Sequence, residues 1–472
     1  MSISSPGIGS GIDVNSIVDQ LVTIERQPIV RLQQQEARID AKLSAFGRLK
    51  GALSTLQDAA RALTDAKTWQ AATASSADAA AVSASAGGAA VPGSYAVQVD
   101  RLAKRQVAAS SPVDAATTVF AAGTLSIERG AAGGFGASPG TGAFAVQVTA
   151  GDTLATVRDR INAAGAGVTA SLVNDSAGTR LVLRASDTGA ANAFRVTATD
   201  SGAPASGQTS LGMFGVDPAG TGGNGMSVTQ PAQDARFTVD GLELESGSNR
   251  VTDVVDGVVL ELRREGPDPV EIQIASDTDS LKAAIKKLVD AYGSVNAMVA
   301  ENTRYDPDTK AAGTLQGDFN VNSIQSRLRG VLQQSVEGVP SGGFSRLADV
   351  GINLQRNGSL AIDDSKLSAA LARPEQVGKL FTTVAPDASA TGMAHRFNKA
   401  VFDMLATEGT IGTATESLGR VKRDLDVRQE QLERRVASSR DRLLRQYTEL
   451  DKKLGQVTSI DWSKLYVSYD DR

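Results

Sequence analysis

The chain has 472 residues, a net charge of −5, no cysteine and a single histidine, His395. These exclude a disulfide, a thiolate nucleophile, a Cys-based metal site and a multi-His zinc centre. Aromatics are only 4%, so cores must be aliphatic and small-residue, and the acidic balance gives no general pull toward nucleic acid or anionic membrane.

Residues 1–12 are a Gly/Ser/Pro/Ile opening without helical period. They lack a basic region followed by an apolar stretch, so no cleavable secretory signal is expected. Such a chain is either cytosolic or leaves the cell uncleaved through a dedicated export machine. No run of ~18 apolar residues occurs, so no membrane-spanning helix or membrane insertion is expected.

Asp13 is a good N-cap, with Ser16 also available, and Ile17, Leu21 and Ile24 recur at coiled-coil spacing. Arg26-Gln27-Pro28 ends or kinks this helix. Leu32, Ile39, Leu43 and Phe46 resume the stripe, which shifts phase into Leu49, Leu53, Leu56, Ala60 and Leu63. An uninterrupted helix from Pro28 to Ala66 would be ~58 Å long.

Residues 71–92, nearly all Ala, Ser, Thr and Gly, read as an extended connector or a weak edge strand. Tyr95–Val99 alternates as a strand, and residues 113–232 hold most of the glycine clusters. Within them, Phe144–Val148 is a strand, and Asp152 or Thr153 caps a helix carrying Leu154, Val157 and Ile161. Val168–Val173, a turn at Asp175–Gly178, Arg180–Leu183 and Phe194–Thr197 complete a small α+β unit. Asp240-Gly241 joins Phe237–Val239 to Leu242–Leu244 as a tight hairpin, and Val258–Leu262 and Val270–Ile274 add two strands.

Asp277–Ser280 caps a long helix striped by Leu281, Ile285, Leu288, Tyr292, Val295 and Val299. A second carries Val321, Ile324, Leu328, Val331 and Leu332, and shorter helices fit 363–371, 374–382 and 393–406. The end is again coiled-coil-like. Leu418, Val421, Leu425, Leu432 and Val436 lead into Leu443, Tyr447, Leu450, Leu454 and Val457. The order helix, β, α+β, β, helices, helix means the chain goes out and returns, so its domains are nested.

Candidate chemistry is sparse. Gly7-Ile8-Gly9-Ser10-Gly11 has no preceding strand to make a dinucleotide fingerprint. Gly136–Gly140 matches a nucleophile elbow by letters, but Pro139 lacks the backbone N–H that such a site needs. Asp306, Asp308 and Gly313 suggest a calcium loop, yet Lys310 takes a ligand position and no bidentate Glu follows. The arginines near 434–445 alternate with Glu430, Glu433 and Asp441, as on a solvated coiled-coil face. His395 reads as a surface or helix-packing residue. No catalytic, metal or cofactor site is expected, nor an enzyme. The terminal heptads lie far from a large apolar domain and read as surfaces for packing against other subunits or proteins.

The opening Gly7–Leu21 resembles the start of the bacterial flagellar filament cap (FliD, flagellar hook-associated protein 2) family. Phe237–Gly241, Ser248–Asp253 and Gly257-Val258 resemble the start of that family's C-terminal region. Leu315–Asp318, Gly351-Ile352, Gly358–Leu360 and the closing amphipathic helix also match, and residues 144–199 resemble the flagellin-IN motif.

The resemblance implies an α+β multidomain fold. Terminal coiled-coil legs (1–44 and 416–472) and a helical bundle (45–75 and 277–415) would carry two nested head domains, one β-rich (76–112 and 233–276) and one inserted α+β (113–232). It implies a secreted, extracellular ring of subunits at the distal flagellar tip that helps exported flagellin fold and insert and stops its leakage. Partners would be other copies of the chain, flagellin, hook–filament junction proteins and an export chaperone. Ile17, Leu21, Ile24, Leu32, Ile39, Leu43, Leu425 and Leu432 are the expected filament and subunit packing residues. Leu443, Tyr447, Leu450, Leu454 and Val457 are expected to meet the chaperone. A hook–filament junction protein is one alternative, though the closing Tyr466–Tyr469 and the 277–406 helices fit the cap better; a glycan-binding surface adhesin is another.

Overall fold

The computed structural model describes residues 13–136, 140, 142–220, 225–308, 310–340 and 342–458. Gly7–Gly11, the centre of Gly136–Gly140 and Tyr466–Tyr469 lie outside the described residues. The chain forms two compact units, Met1–Trp69 with Thr278–Arg472, and Gln70–Asp277.

Helix α1 (Val14–Glu25) opens at Asp13, whose carboxylate accepts from the Ser16 N–H at 3.1 Å. It ends at Arg26, and Pro28 sits in the first turn of α2 (Gln27–Ala62), where its missing N–H costs nothing. The expected break at Arg26–Pro28 therefore separates two helices. The 36 residues of α2 span about 54 Å, slightly less than expected. A short α3 (Ala66–Trp69) follows, its Trp69 Nε1 donating to the Leu63 carbonyl at 3.0 Å.

The second unit contains β1 (Ala72–Ser76), β2 (Val82–Ala86), β3 (Gly93–Arg101), β4 (Val107–Ser110), β5 (Val119–Phe120), β6 (Gly123–Gly130) and β7 (Phe144–Val148). Then come α4 (Leu154–Ala163), β8 (Val168–Asp175), β9 (Gly178–Ala185), β10 (Ala193–Asp200), β11 (Gln208–Thr209) and β12 (Met226–Gln230). It closes with β13 (Ala235–Val239), β14 (Leu242–Ser246), β15 (Arg250–Val251), β16 (Val258–Leu262) and β17 (Val270–Ser276).

A five-stranded sheet β1-β17-β3-β13-β14 and a three-stranded sheet β15-β16-β2 enclose Val82, Val97, Phe237, Leu260, Ile272 and Ile274. Of the two readings of the 71–92 segment, the edge strand holds, twice over: β1 lies at the edge of the five-stranded sheet and β2 at the edge of the three-stranded one. The segment's own side chains are small, and the apolar mass comes from partners, with Ala74 opposite Ile274 and Ser76 opposite Ile272. The Asp240-Gly241 hairpin forms as expected, with φ of 51° and 83°, the signs a type I′ turn requires.

The inserted part has sheets β12-β4-β9-β8 and β10-β6-β7, with Leu125, Ile127, Leu154, Val157, Ile161, Leu183 and Phe194 in its core. Of the two candidate caps, Thr153 caps α4. Asp152 instead accepts from the Thr149 N–H at 2.7 Å and from Arg160. Burial opposes its charge, but the Thr149 donors and Arg160 prevail and hold the carboxyl below the usual aspartate range. Strands β4, β6 and β12 lie outside the elements expected from sequence.

The first unit resumes with α5 (Thr278–Thr303), β18 (Tyr305–Asp306), β19 (Ala311–Ala312), α6 (Phe319–Gln333), β20 (Ile352–Leu354) and β21 (Leu360–Ile362). Then follow α7 (Asp364–Leu371), α8 (Pro374–Thr382), α9 (Met393–Leu405) and α10 (Thr410–Thr458). All six expected stripe residues of α5 are buried, against Phe46, Leu49, Leu53 and Leu56 of α2 and Phe397 and Val401 of α9. Trp69 stacks on Phe381 with ring centroids 5.2 Å apart. The 306–313 segment is a short β18–β19 hairpin in which the Asp306 carboxylate accepts from the Asp308 N–H at 3.0 Å. His395 is half-buried on α9.

Candidate functional site

The antiparallel run of α10 along α2 and then α1 is where the expected packing residues converge. Lys422 lies between Asp40 at 2.5 Å and Glu36 at 3.7 Å. The hydrogen bond to Asp40 holds its ammonium above the usual lysine range. Further along α10, the Ser439 hydroxyl donates to Glu25 at 2.9 Å and Arg440 meets Asp19 at 3.4 Å. Early residues pair with late ones throughout, which fixes the direction.

Between these polar contacts is a small core of Val14, Val18, Val22, Ile29 and Val436, flanked by Leu432, Leu443, Leu444 and Tyr447. This differs from the expected stripe. α1 carries two apolar rows, and it turns Val14-Val18-Val22 inward. Ile17 and Leu21 remain half-exposed and Ile24 is 62% exposed. The valine row at i, i+4, i+8 was readable in sequence; which row faces α10 was not.

Leu32, Ile39 and Leu43 are half-buried on α2, Leu425 is buried, and Leu432 packs beside the valine core. The 443–457 row divides. Leu443 and Tyr447 pack at the valine core, while Leu450 is 48%, Leu454 37% and Val457 51% exposed. Arg434 pairs with Glu430 one turn back, as a solvated helix face does. Among the described residues no group of three or more His, Asp or Glu side chains is placed to hold a metal. No described helix is long and apolar enough to cross a membrane.

Residues 10–106 match the family described as flagellar hook-associated protein 2 N-terminus, and residues 232–459 match its C-terminus. Residues 132–187 match the flagellin hook IN motif, somewhat earlier than the 144–199 expected from sequence. The A-type flagellar hook-associated protein 2 of Pseudomonas aeruginosa is 33% identical, over 96% of this chain and 94% of its own. The chain belongs to the flagellar hook-associated protein 2 family. The Escherichia coli K12 member is 31% identical over 97% of this chain and 96% of its own. The crystal structure of the flagellar cap protein FliD D1-D2-D3 domains from Escherichia coli aligns with a TM-score of 0.64 and 30% identity, covering 79% of this chain and 99% of that one. The adhesin alternative finds no support in these family descriptions.

Proposed function

We propose that this protein caps the flagellar filament: copies assemble at the distal tip, outside the cell, promote folding and insertion of exported flagellin and block its escape. The observation that carries this reading is similarity to proteins named hook-associated protein 2 along nearly the whole chain, joined to a terminal helix pair that keeps an outward apolar row. Catalysis plays no part in this role; the work of assembly comes from flagellin folding and packing.

Four separate apolar cores favour a fourfold division near 1–44 with 416–472, 45–75 with 277–415, 76–112 with 233–276, and 113–232, with β1 going to the β-rich head and β4 to the inserted part. Ile17, Leu21 and Ile24 form the row offered to neighbouring helices of the filament or of other cap subunits. Leu32, Ile39, Leu43, Leu425 and Leu432 act mainly by holding α2 and α10 together beneath it. Contact with hook–filament junction proteins belongs to the same surface.

An export chaperone would take the 443–457 row as a helix in a groove. Because Leu443 and Tyr447 already pack at the valine core, full engagement requires α1 to move aside, so chaperone and α1 compete. Charging Leu450 and Leu454 to Glu should abolish chaperone capture, and unchanged capture would place that site elsewhere.

The decisive experiment deletes residues 420–472 and expresses the chain in cells lacking their own cap. Those cells should release flagellin monomers and bear hooks without filaments, whereas the full-length chain restores growth. Normal filaments from the truncated chain would overturn the role given to these helices.

A further inference from the structure

The unit Gln70–Asp277 contains twelve arginines, and ten of them form ion pairs with carboxylates. The remaining two, Arg105 and Arg184, have no side-chain ion-pair or hydrogen-bond partner among the described residues. Both line one open depression of about 630 Å³, with Lys104, Val107, Thr229 and Gln230. Lys104 reaches Glu265 only at 4.0 Å, and no carboxylate lines the depression.

Strand register explains the grouping. Gln230 of β12 lies opposite Val107 of β4, and Val107 lies opposite Arg184 of β9. Val107 is half-exposed while Ala108 beside it is fully buried, so this row is on the sheet face turned away from the core. Arg105 and Arg184 share one face without a carboxylate and repel one another, and an acidic ligand relieves that repulsion.

Two features indicate an extended chain as the ligand. A second depression, of about 500 Å³, continues along the same two strands beside Ala109, Ser111, Arg180, Asp217 and Ser227, so the cationic character is confined to the first depression. Residues 103–111, of which Val107–Ser110 form β4, reach at most roughly 30 Å, which bounds the length of the trough. Strand order also leaves β12 at the sheet edge, where backbone groups are open to pairing with an added strand. No aromatic side chain lines either depression, so a flat ring finds no stacking platform.

We propose that this face binds an extended acidic polypeptide, with carboxylates on Arg105 and Arg184 and backbone along β12. The inference rests on the capping reading only for the natural source of that polypeptide, the exported subunit before it folds.

The test uses the full-length chain and a fluorescein-labelled ten-residue peptide alternating Glu and Thr, read by fluorescence anisotropy. The wild type should bind it saturably, more weakly as salt rises, and should ignore the Lys/Thr counterpart. The Arg105→Glu/Arg184→Glu variant should lose at least tenfold in affinity at an unchanged thermal midpoint. An Arg250→Glu/Arg264→Glu variant should bind as wild type. No saturable binding, equal binding of the Lys peptide, or unchanged affinity in the first variant overturns the proposal. So does binding of dextran sulfate in place of the peptide, which would indicate an anionic glycan. Loss of self-association by the first variant, with no peptide binding by the wild type, would make the face a contact between copies and likewise overturn it. Flagellin release from cap-deficient cells scores capping separately: a chain that caps but does not bind the peptide sinks this proposal alone, and the converse sinks the capping reading alone.

Discussion

Which row of α1 holds it to α10 can be measured. Val18 is fully buried in the small valine core, whereas Ile24 is 62% exposed. Val18→Ala removes two methyl groups, ~1.6 kcal/mol at ~0.8 kcal/mol each, and the residual cavity brings the loss to about 2 kcal/mol. Alanine's better helix propensity returns roughly 0.5 kcal/mol. The remaining ~1.5 kcal/mol corresponds to about a tenfold larger population of detached α1. Ile24→Ala gains the same propensity and loses little packing, so it should be neutral or slightly stabilising. Native-state hydrogen exchange on the dilute full-length chain reads both. Amides of residues 17–22 should exchange about tenfold faster in Val18→Ala and no faster in Ile24→Ala, while α5 is unchanged in either. Faster exchange in Ile24→Ala than in Val18→Ala would refute the assignment of inner and outer rows.

Further outcomes follow from single sites. A Cβ added at Gly378 would lie 3.1 Å from the Trp69 ring, already stacked on Phe381, so Gly378→Ala should destabilise the helical unit by roughly 1–3 kcal/mol in thermal unfolding. Gly241 has φ of 83° and open space around its Cβ position, so Gly241→Ala should cost about 1 kcal/mol through backbone strain alone. Asp152 has a lowered pKa, so its contribution is present above the usual aspartate range and is lost as pH falls through its folded value. Asp152→Asn should therefore be less stable than wild type at pH 7, with the gap closing in strong acid, as measured by denaturant midpoints across pH. A constant gap would show that the carboxylate's charge is not what matters there.

Much of the architecture was legible because it rests on local periodicity. The α5 row from Leu281 to Val299, the break before Pro28, the start of α4 at Asp152 or Thr153 and the Asp240-Gly241 turn are each dictated by residues within a few positions of one another. Strands β4, β6 and β12 were not: β4 is mostly Ala and Ser and becomes a strand beside apolar partners distant in sequence, while Leu125 and Ile127 of β6 and Met226 of β12 sit among glycine-rich neighbours that hid their pattern. The ion pairing of ten arginines, and the isolation of Arg105 and Arg184, likewise depend on cross-strand register. Local periodicity is enough to make both ends amphipathic helices with an apolar row to place. That Val14, Val18 and Val22 turn inward and leave Ile17, Leu21 and Ile24 outward follows from long-range packing. Helical period puts both rows on α1 with nearly equal weight, and the choice between them is made by the shape and charge of α10, more than four hundred residues away, where Arg440 meets Asp19 and Ser439 meets Glu25.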